Sequence, residues 1–555
     1  TFILTNGSSS TNIGAATYYQ DGGCLDLSAS GVACTLSVVN HFTHTGGTIQ
    51  RSGSSSSNCI LLNEPGPATM ESIGFRTTDP IVFMISKEAG TGTCVIPIQK
   101  LFVLNQLTRF TLLDNKSVLT DLQMDGTLEV YNNTWDLTQG VTVVTGRFTN
   151  HSMLPVSSNS TPASLRFNAN SFYIHAGDGG ELVSASWDST STLFITGIEQ
   201  ANQLKNAGQQ VGNIRWNCTQ QKQSCIFGEE GFEVKGNYTV ESTGKGILHF
   251  PDCDFTIKSD LSLQNDAQLQ LASSEGLYSP VQRPIFINGN LSVTHTALLQ
   301  VGCPNSGNIA KGTLGQYRNY NLSLRKDFLY TSTTPLISFH SKNFENTINE
   351  SYRLSLIFEG NKLQHMIMPP AANDLVQLNE MEYICNTTYA LVVSGSGTHL
   401  IPQLYDLKAH SIRVDKSDTL TIAKEDIHII QFASFDTGGN KEAPSCNISG
   451  ILDMGMNSVK ESTIQEKGIF QLLPGSTLIT AHPQGIDTIA AIGCIQNSGT
   501  RLFDEGANYI FNGYTTQKTG TGLPSRILGS LTIDNSTMLS NGGDLLSKRT
   551  TIPGT

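Results

Sequence analysis

The sequence predicts an all-β solenoid, in which short strands wind into coils with irregular rungs and loop insertions. Three observations carry that reading. Apolar and polar residues alternate with period two in many short segments, which puts one face on a core and one in water. Asn, Asp, Gly and Ser fill the intervals, and these residues favour turns. One unit, Gly, polar, Leu, polar, then Val or Ile, returns between Gly126 and Ile533 with no break in composition.

Taken in chain order, the alternation is clean at 126–130 (GTLEV), 255–257 (FTI), 261–263 (LSL) and 269–271 (LQL). It returns at 289–293 (GNLSV), 476–479 (STLI) and 529–533 (GSLTI). Two copies carry a second short strand after a turn, Leu298 to Val301 in one and Met538-Leu539 in the other. Ser259 to Leu271 is a copy without its leading Gly. A coil this small cannot bury its own inner face, so each must stack on the next. The interval from Leu261 to Leu291 is much longer than that from Gly450 to Gly468, so the coils carry insertions at their turns. Tandem antiparallel β-sandwich domains are the alternative, since short alternating strands between turns suit them too. Helical signals are few: Ile198 to Ala207, stopped by Gly208, and Asn373 to Tyr383 are expected as short helical excursions or end caps. The expected organisation is an N-terminal Cys-containing β domain over 1–110, a solenoid over 111–395, and over 396–555 its continuation or a second β domain, with the break near Gly395 to Gly397.

Composition narrows the function. Charged residues make up 14% of the 555, against about 25% in ordinary soluble proteins, and Ser, Thr, Asn and 52 Gly take their place. A net charge of −12 argues against a nucleic-acid partner, which would require a basic stripe. No apolar run approaches the roughly 18 residues of a membrane-spanning helix. The scarcity of Lys and abundance of hydroxyl residues and Asn suit an extracellular or cell-surface location. The chain starts at Thr1, which is read as removal of an export signal or as a piece of a longer protein. Asn-x-Ser/Thr sequons occur at 13 positions, either glycan acceptors or Asn-rich turns.

The repeats at 259–271, 289–293 and 529–539 resemble rungs of bacterial surface β-helix proteins, the class of autotransporter passengers and filamentous-haemagglutinin-like adhesins. The resemblance covers 120–555 in composition and rhythm, with no signature motif. It implies a right-handed parallel β-helix and a role in adhesion or in building surface structures. It carries over no site residue, because the class shares none. Eleven Cys are many for such passengers, and no C-terminal outer-membrane barrel is legible, so self-transport is not expected of this chain.

The eleven Cys are too sparse for a disulfide framework. Cys24 with Cys34 and Cys218 with Cys225 are the candidate disulfides. The alternative is that most Cys are small buried apolar residues, or that one bridges to another subunit. His41 and His44 lie between Cys34 and Cys59, but on a strand residues three apart point to opposite faces, so no metal is expected. The Gly-Asp-Gly-Gly run at 177–180 and the Asp-Gly-Gly run at 21–23 are read as tight turns, not calcium loops. Asp252 and Asp254 would face one way on a strand and form the best local carboxylate pair for glycoside chemistry. A turn or strand-end role is favoured for them, and a solvated one for Glu229 and Glu230. No catalytic residue, cofactor or metal ligand is therefore assigned.

The segment Thr1, Phe2, Ile3, Leu4 and Thr5 is an apolar strand former, and an unpaired apolar strand is a liability. It is expected either to cap its own chain or to add to the edge of a neighbouring subunit. Contacts of the second kind do not close and propagate into a filament. The functional expectation is a non-enzymatic exported surface protein, an adhesin or a filament subunit built head to tail. Its partners would be other copies of itself and a host or matrix glycan or protein. The rivals are a β-helix polysaccharide lyase or hydrolase and a phage or viral fibre component.

Overall fold

The computed structural model describes residues 2–3, 11–26, 34–50, 59–63, 69–72, 82–86, 94–96, 102–104, 109–112, 116–118, 122–124, 127–130, 135–136, 142–151, 156–158, 163–250, 253–271, 283–301, 318–333, 337–342, 348–367, 375–378, 382–386, 390–403, 407–409, 411–422, 427–429, 445–461, 468–487, 489, 492–534 and 550–553. These are strand, bridge, turn, bend or irregular, and none is helical. The chain forms two compact units, Thr1–Leu248 and His249–Thr555.

In the first unit a parallel ladder runs from coil to coil. It passes through Cys59–Asn63, Val82–Ser86, Arg109–Leu112, Thr127–Val130, Arg147–Asn150, Phe172–His175, Thr192–Ile195, Asn213–Asn217 and Tyr238–Ser242. The ladder is continuous through residue 110. A second parallel ladder joins Phe102–Leu104, Leu122–Met124, Thr142–Val144, Leu165–Phe167 and Ser186–Trp187. A third joins Cys94–Ile96, Lys116–Val118, Trp135–Asp136 and Val156–Ser157. The chain visits the three in rotation, which is the path of a solenoid. Sandwich sheets are antiparallel, so the sandwich alternative falls.

In-register stacking turns alternation into columns. Phe148, Tyr173, Leu193, Ile214 and Tyr238 lie opposite one another in successive coils, and all are fully buried. Val144, Phe167 and Trp187 form the matching column of the second ladder, with the last two rings stacked at 4.3 Å. Each such side chain contributes roughly 1.5–3 kcal/mol through burial.

The second unit repeats the plan. Ile257, Ile287, Leu324, Phe358, Val393, Val414, Ile448 and Leu472 form one unbroken buried column. On another ladder Leu400, Leu420, Leu452, Leu478 and Tyr509 do the same. This ladder runs from Leu363–Ile367, before the Gly395–Gly397 bend, through His399–Gln403 to Thr419–Thr421. Loop insertion appears as antiparallel pairing: Ile337–Lys342 pairs with Glu382–Asn386, which pairs with Leu375–Leu378.

Coils are held at their corners by side chains that reach the next coil. The Asp260 Oδ1 accepts the Asn290 N–H at 2.7 Å, Asn290 accepts that of Asp327 at 3.2 Å, and Asp327 that of His365 at 2.8 Å. Asn213 accepts the Asn237 N–H at 2.9 Å in the first unit. Asn213 and Asn290 are the polar residues that follow Gly in the repeat, and Asp260 and Asp327 hold the same place after Ser259 and Lys326. Gly289 is required by proximity, because a Cβ there would run into the backbone of Ser259 and the carboxylate of Asp260.

Both expected helices are corrected. Within 198–207, Ile198, Leu204 and Ala207 are buried, and Gln203–Leu204 is a strand paired with Ile226–Phe227. Apolar residues at this spacing reach the core from an irregular extended path. In 373–383, Leu375–Leu378 is a strand of the antiparallel insertion.

Candidate functional site

The outward faces of the ladders are where side chains remain available, and one of them carries a patch of distinct chemistry. In the first unit, Phe172 follows Arg147 in the ladder, and one row over Ile174, Phe194 and Arg215 follow Thr149. These positions alternate with the buried columns and so face outward. The Arg147 guanidinium lies over the Phe172 ring at 5.7 Å, and that of Arg215 over the Phe194 ring at 4.5 Å. Arg215 is also paired with Glu241 at 2.7 Å. Phe172, Ile174 and Phe194 are half-buried, and Arg147 is exposed. Two aromatic rings and two guanidiniums thus lie in adjacent rows of one outward face, and this combination can bind an anionic partner.

A polar network lies behind this face. Asn150 donates to the Tyr173 hydroxyl at 3.2 Å, and the His175 Nε2 lies 2.8 Å from the Gly179 carbonyl oxygen. Burial lowers the His175 pKa to about 4, against a smaller opposing effect of the Gly179 carbonyl. The imidazole is therefore neutral at neutral pH.

In the second unit a different outward line is formed by His399, Thr421 and Asp453. The His399 Nε2 is 2.9 Å from the Thr421 Oγ1, and Thr421 lies opposite Asp453 in the ladder. Burial raises the Asp453 pKa, while the Gly455 N–H and His399 act in the opposite direction. The loop before His399 is anchored by the buried Asp418, whose Oδ1 accepts the N–H groups of Gly397 at 3.0 Å and Thr398 at 2.8 Å.

The residues singled out in the sequence fall elsewhere. Cys218 and Cys225 are not disulfide-bonded: both are free, buried thiols, and burial pushes each up to about 12. Cys218 follows the strand Asn213–Asn217 with its Sγ 3.6 Å from the Ile195 carbonyl oxygen, a small core residue and not a crosslink. Cys24 is likewise free; the ladder sets it opposite Thr48 and sets Cys34 opposite Thr11, so register does not bring the two together. Phe2–Ile3 pairs in parallel with Leu25 and Asp26 of the same chain, as a strand that caps its own chain would, while Thr1, Leu4 and Thr5 lie outside the described residues. Asp252 also lies outside them, and Asp254 is exposed.

Asp178, in the Gly-Asp-Gly-Gly run, is a corner residue. Its Oδ1 accepts the N–H groups of Glu199, Gln200 and Ala201 at 2.8 to 3.0 Å. Burial works against its charge, but these donors hold its carboxyl below the usual range. A carboxylate surrounded by donors is not presented to a cation. Glu229 accepts the Asn206 N–H at 3.1 Å, and Glu230 is exposed. Among the described residues no group of three or more His, Cys, Asp or Glu is placed to hold a metal ion, and no helix is long and apolar enough to cross a membrane.

Neither outward cluster is flagged by a motif. Phe172 and Phe194 sit in the runs FYIH and TLFI, where inward and outward positions are both apolar, so alternation cannot tell which ring faces water. No protein-family model, no curated protein and no solved structure matches the chain.

Proposed function

We propose that the protein is a non-enzymatic, exported surface solenoid that works as an adhesin or as a subunit of an extracellular filament. One observation carries this reading most: the acceptor side chains at the coil corners are engaged in binding coil to coil. Asp178, Asn213, Asp260, Asn290 and Asp327 each hold backbone N–H groups of the following coil. Such residues build a scaffold, and the scaffold's variable element is its outward face. Phe2–Ile3 pairs within its own chain, so head-to-tail growth would use ladder ends that meet in another copy.

Negative-stain microscopy of the purified full chain tests the proposal, together with binding to host cells or matrix. Rods or filaments with saturable binding are expected. Compact beads that proteolysis separates into independently folding fragments of ordinary domain size would overturn it.

A hydrolytic reading has one observation in its favour, the hydroxyl of Thr421 within hydrogen-bond reach of His399. That is the geometry of a hydroxyl beside a general base. Screening polysaccharide cleavage with the natural chain and with His399→Gln separates the readings. Turnover abolished by that change would favour an enzyme.

A further inference from the structure

We infer that the outward Arg–Phe face of the first unit is a binding site for a carboxylate-bearing polysaccharide, which deepens the proposed surface role by naming its partner class. Arg147, with no carboxylate partner among the described residues, flanks Phe172 at one end of the patch, and Arg215 covers Phe194 at the other. Ile174 lies beside Phe194 in the ladder and completes an apolar strip between the two cations. Three coil steps separate the arginines, on the order of 14 Å along the stack at ~4.8 Å per strand. That is a length for several linked sugars and not for one ring.

The chemistry of each part selects the ligand. Guanidinium groups recognise carboxylates bidentately. Aromatic faces accept the apolar C–H faces of pyranose rings. Along these two rows the ladder places Arg109, Arg147 and Arg215 against Glu129, with Glu241 paired to Arg215, so the face leans opposite to a chain of net charge −12. A polyanion is therefore drawn to this face and repelled by most of the remaining surface. An acidic peptide fits less well, because extended peptides are bound through sheet edges by main-chain hydrogen bonds, and this surface is the face of a ladder paired on both sides.

Biolayer interferometry on the full chain tests the assignment, with an oligogalacturonate as the carboxylate probe, dextran as the neutral probe and poly-L-glutamate as the acidic peptide. Oligogalacturonate is expected to bind, more weakly as salt is raised, and the other two to bind about tenfold less tightly or not at all. Arg147→Gln is expected to weaken oligogalacturonate binding about tenfold, the scale of one charge-assisted contact. Phe172→Leu keeps the strand's apolar volume and is expected to weaken it severalfold. Arg166→Gln removes an exposed charge from the other ladder of the same unit and is expected to leave binding unchanged. The inference is overturned by equal binding of poly-L-glutamate or dextran, by no binding of oligogalacturonate, or by an Arg147→Gln effect matched by Arg166→Gln. If rods are seen and oligogalacturonate does not bind, this inference alone fails; beads in place of rods remove the surface-solenoid reading itself.

Discussion

The two units use one winding rule with different amounts of freedom. In the first, side-chain hydrogen bonds between adjacent coils join residues 20 to 26 positions apart. In the second the same kind of bond joins residues 20 to 40 positions apart. The inward columns do not register this difference: Ile257 to Leu472 stays in register across coils of very unequal length. Extra residues leave the coil at its corners, where loop closure costs little more as length grows. The cores differ as well. Both bury polar groups, such as His175 and Asn150 in the first and His249 and Asp418 in the second, but the first packs its columns around Trp187 and Trp216, whereas the second buries Phe and Tyr among mainly aliphatic side chains.

The sharpest way to break this comparison is to empty one column. Trp216 is fully buried, with its ring 5.6 Å from Phe227 and its Nε1 donating to the Gln221 side chain at 3.1 Å. Trp216→Ala is expected to destabilise the first unit by about 3–5 kcal/mol, from lost burial and a residual cavity. All three Trp of the chain, at 135, 187 and 216, lie in this unit. Their fluorescence during denaturant unfolding therefore reports it selectively. An effect under about 1 kcal/mol would mean that the column is not what holds these coils.

Acid should separate the units next. His175 has a folded pKa of about 4 against an ordinary 6.5. The unfolded chain therefore binds the proton first, and stability falls as pH drops from 6.5 towards 4, by about 3 kcal/mol in total. In the second unit, burial raises the pKa of Glu359, Asp418 and Asp453. Their contribution has the opposite sign: it is present below their ordinary pKa and is lost as pH rises through the raised values. Tryptophan-detected stability should therefore decline on mild acidification, and His175→Gln should flatten that decline. A pH profile identical in the natural chain and the variant would remove His175 as its cause.

How much of this was legible depends on which signal each feature leaves. The alternating segments at 127–130, 255–257, 261–263, 291–293, 477–480 and 530–533 are all strands. Period two survives wherever one face is buried and the other wet. Two-residue strands such as Ser186–Trp187 and Gln203–Leu204 are too short to show a period. The polar residue after Gly was legible as a turn former, but its bond to the next coil was not, because its acceptor role depends on a residue 24 to 37 positions away. The outward Phe pair was hidden by apolar neighbours on both faces of its strands.

Those corner bonds should be alike in both units. Asn213→Ala and Asp327→Ala each leave an N–H of the next coil without its acceptor, at Asn237 and His365 respectively. Each is expected to cost about 1 kcal/mol, the ordinary scale of one hydrogen bond. Thermal unfolding of the two variants checks this. A much larger loss in the second unit would mean that its long coils depend on corners more than on columns.

The smallest effect is expected from reduction. Cys218 and Cys225 in the first unit, and Cys446 and Cys494 in the second, are buried free thiols held up to about 12. Cys446 stands in a column between Ile412 and Phe470, where an aliphatic residue would serve as well. A thiol that is neither ionised nor accessible does not react. Iodoacetamide should leave these four unmodified in the folded chain and alkylate them all after denaturation, and dithiothreitol should leave the melting temperature unchanged. If reduction lowered stability in the first unit alone, a disulfide within that unit would be the source, and the two units would then differ in crosslinking as well as in coil length.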